Sequence, residues 1–262
     1  MRQILVIAVN TFREAIRNRV FASLVLFAIG LLIVTMAISA ASLHEEVRLM
    51  KDVGLFLIST FCAMLCVFVG ASLVYKEIER KTIYTLLPKP IHRWQFLVGK
   101  YLGVVSMMAV QTAVMGLALA SQFWMLEEKF SFVMIQAIWL IFVEVLVVSA
   151  VALLFSSFST PFLSGMLTLG VFTVGRFADR LATLELKAGP DQSQAALDQA
   201  AGFAHAVAWV APDLSMYNVT AYVVYDTTLP EGFVLHATGA GVLYAALCLV
   251  VAAVLFSRRD FI

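Results

Sequence analysis

One carboxylic acid lies deep inside an apolar stretch of this sequence. Glu144, in the run Phe-Val-Glu-Val-Leu, belongs to residues 134–155, which carry no other charge. An ionisable side chain so far from water is a candidate functional residue by default, because its burial in hydrocarbon is costly. Glu144 could carry a proton, or it could be a buried group bonded to a neighbouring helix, and the residues alone leave both interpretations open.

Two thiols form a second candidate cluster. Cys62 and Cys66 lie one helical turn apart with Met64 between them, and soft sulfur ligands select Cu(I). Two thiolates without a histidine or a third thiolate make a poor metal site, and cysteine is also an ordinary small apolar residue. With Cys248, all three cysteines fall in apolar runs, so we expect no structural disulfide and no bound metal.

The common motifs for nucleotide and hydrolytic chemistry are missing from the sequence. Gly99-Lys100 is followed by Tyr101 and lacks the earlier glycine of a phosphate-binding loop. Neither the HExxH zinc motif nor the GxSxG serine motif occurs. We therefore expect that the chain is not itself an enzyme and binds no cofactor of its own.

Long apolar runs are the elements that must position these residues. The chain is 62% hydrophobic and 13% charged, against the roughly 25% charged that is typical of soluble domains. Each run is close to the roughly 20 residues that a helix needs to cross a membrane. The sequence predicts an all-α polytopic membrane protein, a single transmembrane domain over residues 1–262 with six spans, at 21–42, 53–75, 101–123, 134–155, 162–177 and 237–256.

The distribution of basic residues predicts the orientation. Twelve of the 18 lysines and arginines lie in the N-terminal segment, in residues 76–100 or at the C-terminus, and short basic segments stay cytoplasmic. Both termini are therefore predicted to be cytoplasmic, with the first span kept as a signal-anchor. Residues 179–235 form a long extracytoplasmic segment, of which 214–225 is apolar enough to rest on, or dip into, the membrane domain.

Local patterns refine this picture. Residues 1–20 have the periodicity of an amphipathic helix, which we expect to lie in the headgroup plane. In the short link 156–161, Thr160 can cap the next helix and Pro161 can occupy its first turn. Arg176 and Asp179, at the outer end of the fifth span, are explained by snorkelling of long side chains toward the interface.

The segment of residues 76–103, KEIERKTIYTLLPKPIHRWQFLVGKYLG, carries a family resemblance. It resembles the cytoplasmic segment of ABC type-2 transporter permeases, and most of all the branch that contains the permease for nitrous-oxide-reductase maturation. A run of acidic and basic residues precedes a proline-punctuated stretch, and an aromatic run then enters the third span. The layout of one interfacial helix, six spans and an outer segment that partly re-enters the membrane is similar to that family.

The resemblance implies a transmembrane half-transporter of an ATP-binding-cassette exporter in a bacterial cytoplasmic (inner) membrane. A second permease subunit, expected to be identical, would complete the pathway, and two copies of a separate ATPase subunit would bind ATP and Mg²⁺. The lipid bilayer is the other partner, and no nucleic acid is expected. Residues 76–100 would couple to the ATPase, through Glu77, Glu79, Arg80, Lys81, Thr82, Ile83, Pro88, Pro90, Arg93 and Trp94.

Two other classes of function compete with this interpretation. A proton-coupled secondary transporter would use Glu144, and should show inverted repeats and helices broken in mid-membrane, which the sequence does not display. A non-transporting membrane scaffold would keep the same spans. Lipid, drug, peptide, polysaccharide and metal-linked cargo are all compatible with the sequence as substrates.

Overall fold

The computed structural model describes residues 2–17, 19–39, 46–72, 92–178 and 212–257. Within these ranges the chain is helical and contains no β-strand. The α-helices are α1 (Arg2–Ile16), α2 (Arg19–Ser39), α3 (Glu46–Ser72), α4 (Arg93–Met125), α5 (Phe132–Phe158), α6 (Pro161–Arg176), α7 (Thr220–Val224) and α8 (Phe233–Ser257), with a 3₁₀ turn at Ser215–Tyr217.

Helix α5 is the centre of the bundle. It contacts α3, α4, α6, α7 and α8, and its 27 residues carry no charge except Glu144. A helix that is apolar all round is buried by its neighbours. The cluster of buried side chains accordingly includes residues along the whole of α5, from Val133 to Leu153.

Helix α1 packs closely against the beginning of α4. A Cβ atom on Gly103 would lie 2.7 Å from the Ala8 carbonyl oxygen, and one on Gly99 would lie 2.8 Å from the Ile7 Cβ. The two glycines are four residues apart on one helix face, so they let the backbones approach. The predicted amphipathic helix therefore buries part of its apolar face against protein, with Thr11 and Ala15 buried, while Leu5 and Val9 stay exposed.

The predicted six spans are not all confirmed as membrane-crossing helices. By length and composition, four helices of the described chain can cross a membrane, and α1 with α2 adds a fifth if that bent pair counts as one span. The fifth predicted span, 162–177, corresponds to α6, which has only 16 residues. At 1.5 Å per residue it is about 24 Å long, shorter than a hydrocarbon core of about 30 Å.

Helix α3 begins earlier than the sequence predicted. Residues 43–52 join the first two predicted spans and were expected to form a short outer loop, yet the helix begins at Glu46. Met50 is fully buried, and the largely buried Lys51 is paired with Asp226 at 2.6 Å. A charged first turn and a half is stable here because a distant part of the chain supplies the counter-charge.

Residues 212–226 fold back onto the bundle beyond the end of α6. Leu214, Tyr217, Val219 and Val223 are buried, and α7 contacts α3 and α5. Their apolar pattern predicted this association with the membrane domain. The remaining residues of the predicted segment 179–235 that precede Pro212 lie outside the described part of the chain.

Candidate functional site

A polar cluster lies at the middle of α5, inside the apolar bundle. Glu144 is 1% exposed, and its two carboxylate oxygens accept hydrogen bonds from different helices. Nη1 of Arg176 donates to Oε1 at 2.7 Å, and the Ser59 hydroxyl on α3 donates to Oε2 at 2.9 Å. The same arginine nitrogen also donates to the Ser59 oxygen. The cluster therefore joins α3, α5 and α6 through a closed triangle of hydrogen bonds.

Arg176 is positioned by the end of α6. It occupies the last turn of that helix, where a cation interacts favourably with the helix dipole, and its guanidinium lies 5.9 Å from the centroid of the Phe172 ring. The snorkelling that the sequence suggested for Arg176 is wrong, because its guanidinium turns into the bundle toward Glu144. Asp179, the other residue of that interpretation, lies outside the described ranges.

The α5–α6 hairpin brings the two charges to one level. Pro161 occupies the first turn of α6, as predicted, although the Thr160 hydroxyl makes no capping hydrogen bond. The two helices run antiparallel, since Ser164 donates to the Ala152 carbonyl near the turn and Arg176 reaches Glu144 farther along. Sequence reasoning identified Glu144 but missed this partner. The missed signal was that the two residues are about equally far from the tight turn that joins their helices.

The folded-back segment covers the cluster. A small cavity of about 10 Å³, roughly room for one water molecule, lies beside Glu144 and Arg176 and is also lined by Ser59, Tyr217 and Asn218. The Leu214 amide donates to the Gly175 carbonyl at 3.0 Å. A side chain at position 175 would collide with this contact, because its Cβ would lie 2.5 Å from the Pro212 carbonyl oxygen.

The chemistry of this arrangement is that of a buried ion pair. Both carboxylate oxygens of Glu144 already accept hydrogen bonds, so the group is linked to two neighbouring helices. This contact matches the bonded-neighbour interpretation of Glu144 rather than an isolated proton carrier. Removing one partner of such a pair is strongly destabilising, since the other charge stays buried without compensation.

The two thiols of α3 lie in a different environment. The Cys62 sulfur lies 3.5 Å from the Thr112 hydroxyl oxygen on α4, and the Cys66 thiol points to the Val145 carbonyl at 3.8 Å. All three cysteines are buried and unpaired with one another. In the ranges given above, no three residues among His, Cys, Asp and Glu come together as metal ligands.

The predicted coupling segment is described only from His92 onward. Helix α4 continues without a break from Arg93 to Met125. The last two predicted coupling residues, Arg93 and Trp94, therefore belong to the same helix as the third span. The coupling candidates Glu77, Glu79, Arg80, Lys81, Thr82, Ile83, Pro88 and Pro90 lie outside the described ranges, and for Arg93 only the backbone is described.

The described half of the motif contains residues that pack against neighbouring helices and, at the beginning of α4, an exposed tryptophan. Phe96 stacks on Phe256 of α8 with ring centroids 6.3 Å apart, Gly99 admits α1, and the Tyr101 hydroxyl donates to the Leu146 carbonyl at 3.1 Å. Trp94 is different, since it is 50% exposed at the beginning of α4. The motif thus fixes the base of α4 to three neighbours and presents a large aromatic ring beside it.

Comparison with known families identifies the family of this chain. Residues 5–261 match the family described as ABC-2 family transporter protein. A search of curated proteins finds no match. Proteins of this family are the non-catalytic, multi-pass membrane components of transporters whose ATP-binding cassette is a partner subunit. Since the match covers nearly the whole chain, this protein belongs to the ABC-2 transporter family.

Proposed function

We propose that this chain is the permease subunit of an ATP-binding-cassette exporter, driven by a separate ATPase through residues 76–100. Two permease subunits, identical in our proposal, would form the pathway at their interface, and two ATPase subunits would carry ATP and Mg²⁺. The observation that carries the proposal is the family match over residues 5–261. The motif of residues 76–103 further suggests the nitrous-oxide-reductase-maturation branch.

The base of α4 supports the coupling role. A docking surface needs an exposed apolar anchor on an element that moves as a unit, and aromatic residues are common anchors of this kind. Trp94 offers such an anchor, and α4 carries it on a continuous helix of 33 residues. Because α1 is packed over Gly99 and Gly103, a force applied at residues 76–100 would move α1 and α4 together.

The proposed topology keeps both termini cytoplasmic, in a bacterial inner membrane, with six passes of the chain. In this proposal α2, α3, α4, α5 and α8 cross the membrane. Helix α6 enters from the cytoplasmic side, and residues 212–226 complete the fifth pass from the other side. The basic residues at the two termini and in 76–100 support this orientation.

The proton-coupled alternative loses support from the contacts of Glu144. That alternative needs a carboxylate free to exchange a proton with a water path. Here both carboxylate oxygens are bonded, one to a guanidinium and one to a hydroxyl. A structural role for Glu144 is therefore the better supported one, and the exporter remains our proposal.

Co-purification with the ATPase tests the proposal. The protein is isolated in mild detergent and the associated subunits are identified by mass spectrometry. Trp94→Ala should reduce the recovered ATP-binding subunit at least several-fold, without loss of the permease itself. Trp124→Ala is the matched control, since this 83% exposed tryptophan is near the other end of the same helix.

Two results would refute the coupling assignment. One is purification of the wild-type protein without any ATP-binding subunit. The other is equal recovery of that subunit with both tryptophan variants. Glu79→Ala and Arg80→Ala extend the test into the segment itself, and each should weaken assembly while membrane insertion is kept.

A further inference from the structure

A charged cavity opens at the end of the bundle where α3 begins. Its volume is about 550 Å³, within the range of roughly 300–1,000 Å³ that is usual for small-molecule sites. The polar lining comes from three places in the chain: the first turns of α3, the connection after α4, and the turn after α7. Its charged and aromatic residues are Glu46, Arg48, Lys51, Glu128, Tyr225 and Asp226.

The deepest cation of this cavity is held by a carboxylate at its rim. The Lys51 side chain is 6% exposed, whereas that of Asp226 is 66% exposed, and the ammonium and carboxylate are 2.6 Å apart. Asp226 has a φ of 51°, a left-handed conformation that Asn and Asp tolerate better than other non-glycine residues. The counter-ion of a nearly buried lysine is therefore a solvent-accessible group on a short turn.

The rest of the lining divides into opposite charges. The Arg48 guanidinium lies 5.7 Å from the centroid of the Tyr225 ring, on the same helix face as Lys51. Glu46 and Glu128 add two carboxylates from different elements. A purely anionic or purely cationic ligand would be repelled by the lining residues of the same charge. A ligand that carries one positive and one negative group can place each group beside residues of opposite charge.

We propose that this cavity binds a small zwitterionic phosphate of the phosphoethanolamine type. The phosphate takes the place of the Asp226 carboxylate on Lys51, next to Arg48, and the amine lies beside Glu46 and Glu128. Phosphate forms strong charge-assisted hydrogen bonds with such cations. Because one anion replaces another, the buried lysine is never left unpaired, which avoids the main cost of opening the contact.

The same chemistry has two sources, a soluble phosphoethanolamine and the headgroup of a phosphatidylethanolamine lipid. Binding of the soluble ligand is measured by calorimetric titration of the purified, full-length protein with phosphoethanolamine at neutral pH, and inorganic phosphate is the second probe. Binding of the lipid is measured by native mass spectrometry of lipid retained from nanodiscs of phosphatidylethanolamine or phosphatidylcholine. Binding of either ligand supports the site if it also responds to substitutions at Asp226 and Lys51.

Two substitutions in the lining should change the affinity for phosphoethanolamine in opposite directions. Asp226→Asn keeps the turn and removes the competing carboxylate, so binding should tighten by about tenfold or more, as when the competent state becomes the main one. Lys51→Gln should abolish binding. Glu231→Gln and Lys129→Gln are charge-matched controls on exposed residues outside the lining, and both should bind as the wild type does.

The proposal fails if Asp226→Asn binds phosphoethanolamine, or the lipid, no more tightly than the wild type does. This criterion applies even if Lys51→Gln does not fold. It also fails if neither source binds to the wild type or to Asp226→Asn. Inorganic phosphate that binds as tightly as phosphoethanolamine would overturn recognition of the amine. Phosphatidylcholine retained as well as phosphatidylethanolamine would overturn the lipid as the source.

Discussion

The Arg176 guanidinium and the Glu144 carboxylate meet at 2.7 Å, although α6 ends at the arginine and α5 continues well past the glutamate. The pair is thus a junction between a short helix and the middle of a long one. Ser59 adds the third helix of the junction. Its energetics can be measured by mutating each member alone and then two together.

Glu144→Gln should destabilise the protein by about 3–5 kcal/mol, because it leaves the largely buried Arg176 without its counter-charge. Thermal unfolding in detergent measures the loss, and Glu127→Gln, at an exposed position, is the control. The double variant Glu144→Leu with Arg176→Met should lose less stability than the sum of the losses of Glu144→Leu alone and Arg176→Met alone. Two strictly additive losses would contradict the direct coupling of the pair.

Ser59→Ala should cost less, about 1–2 kcal/mol, since one carboxylate oxygen loses a hydrogen-bond donor while the ion pair remains. The same thermal measurement applies. Ser121→Ala is a suitable control, because this exposed serine bonds only to its own helix and should change stability very little. A Ser59→Ala loss as large as that of Glu144→Gln would mean that the hydroxyl, and not the guanidinium, secures the carboxylate.

Gly103→Ala should loosen the packing of α1 on α4. The new methyl group would lie 2.6 Å from the Thr11 Cβ and 2.7 Å from the Ala8 carbonyl oxygen, and overpacking of this kind costs about 1–3 kcal/mol. At Gly30 a Cβ would meet nothing within 4 Å, so Gly30→Ala should gain about 0.5–1 kcal/mol from helix propensity. Thermal unfolding measures the change in stability, and limited proteolysis of the N-terminal helix measures the release of α1 from α4. Equal stability and equal proteolysis of the Gly103→Ala and Gly30→Ala variants would argue against the close contact.

Gly175→Ala should separate residues 212–214 from the end of α6. Its methyl group would lie 2.5 Å from the Pro212 carbonyl oxygen, so the backbone must shift and the Leu214 amide loses its acceptor. Hydrogen exchange of that amide should become faster, while exchange within α5 is unchanged. Gly170→Ala is the control, because the space around that position is open; faster exchange in both variants would point to general loosening instead.

The apolar helices and the buried carboxylate were predictable from the sequence, because composition and local periodicity decide them. The run 134–155 and Glu144 within it are local features, and α5 contains both. The resemblance of residues 76–103 likewise agrees with the family match. These predictions needed no knowledge of how distant segments pack.

What the sequence could not supply were the long-range pairings. Arg176 was assigned to the membrane surface because the fifth span was taken to cross the whole membrane, whereas α6 ends at that residue. Residues 43–52 were expected to form a short loop because they lie between the first two apolar runs. Lys51 finds its partner in Asp226, whose position depends on a turn far along the chain.

The shortness of α6 also divides one wall of the bundle into two separate pieces. Helix α6 is about 24 Å long, whereas the 27 residues of α5 extend for about 40 Å. Beyond Arg176 the bundle is covered by residues 212–226. This segment meets the end of α6 at the hydrogen bond between the Leu214 amide and the Gly175 carbonyl. The two pieces are joined by contacts between separate segments and not by a continuous helix. Separating them would break side-chain packing, the Leu214–Gly175 hydrogen bond and the Lys51–Asp226 ion pair, with every hydrogen bond inside α6 left intact.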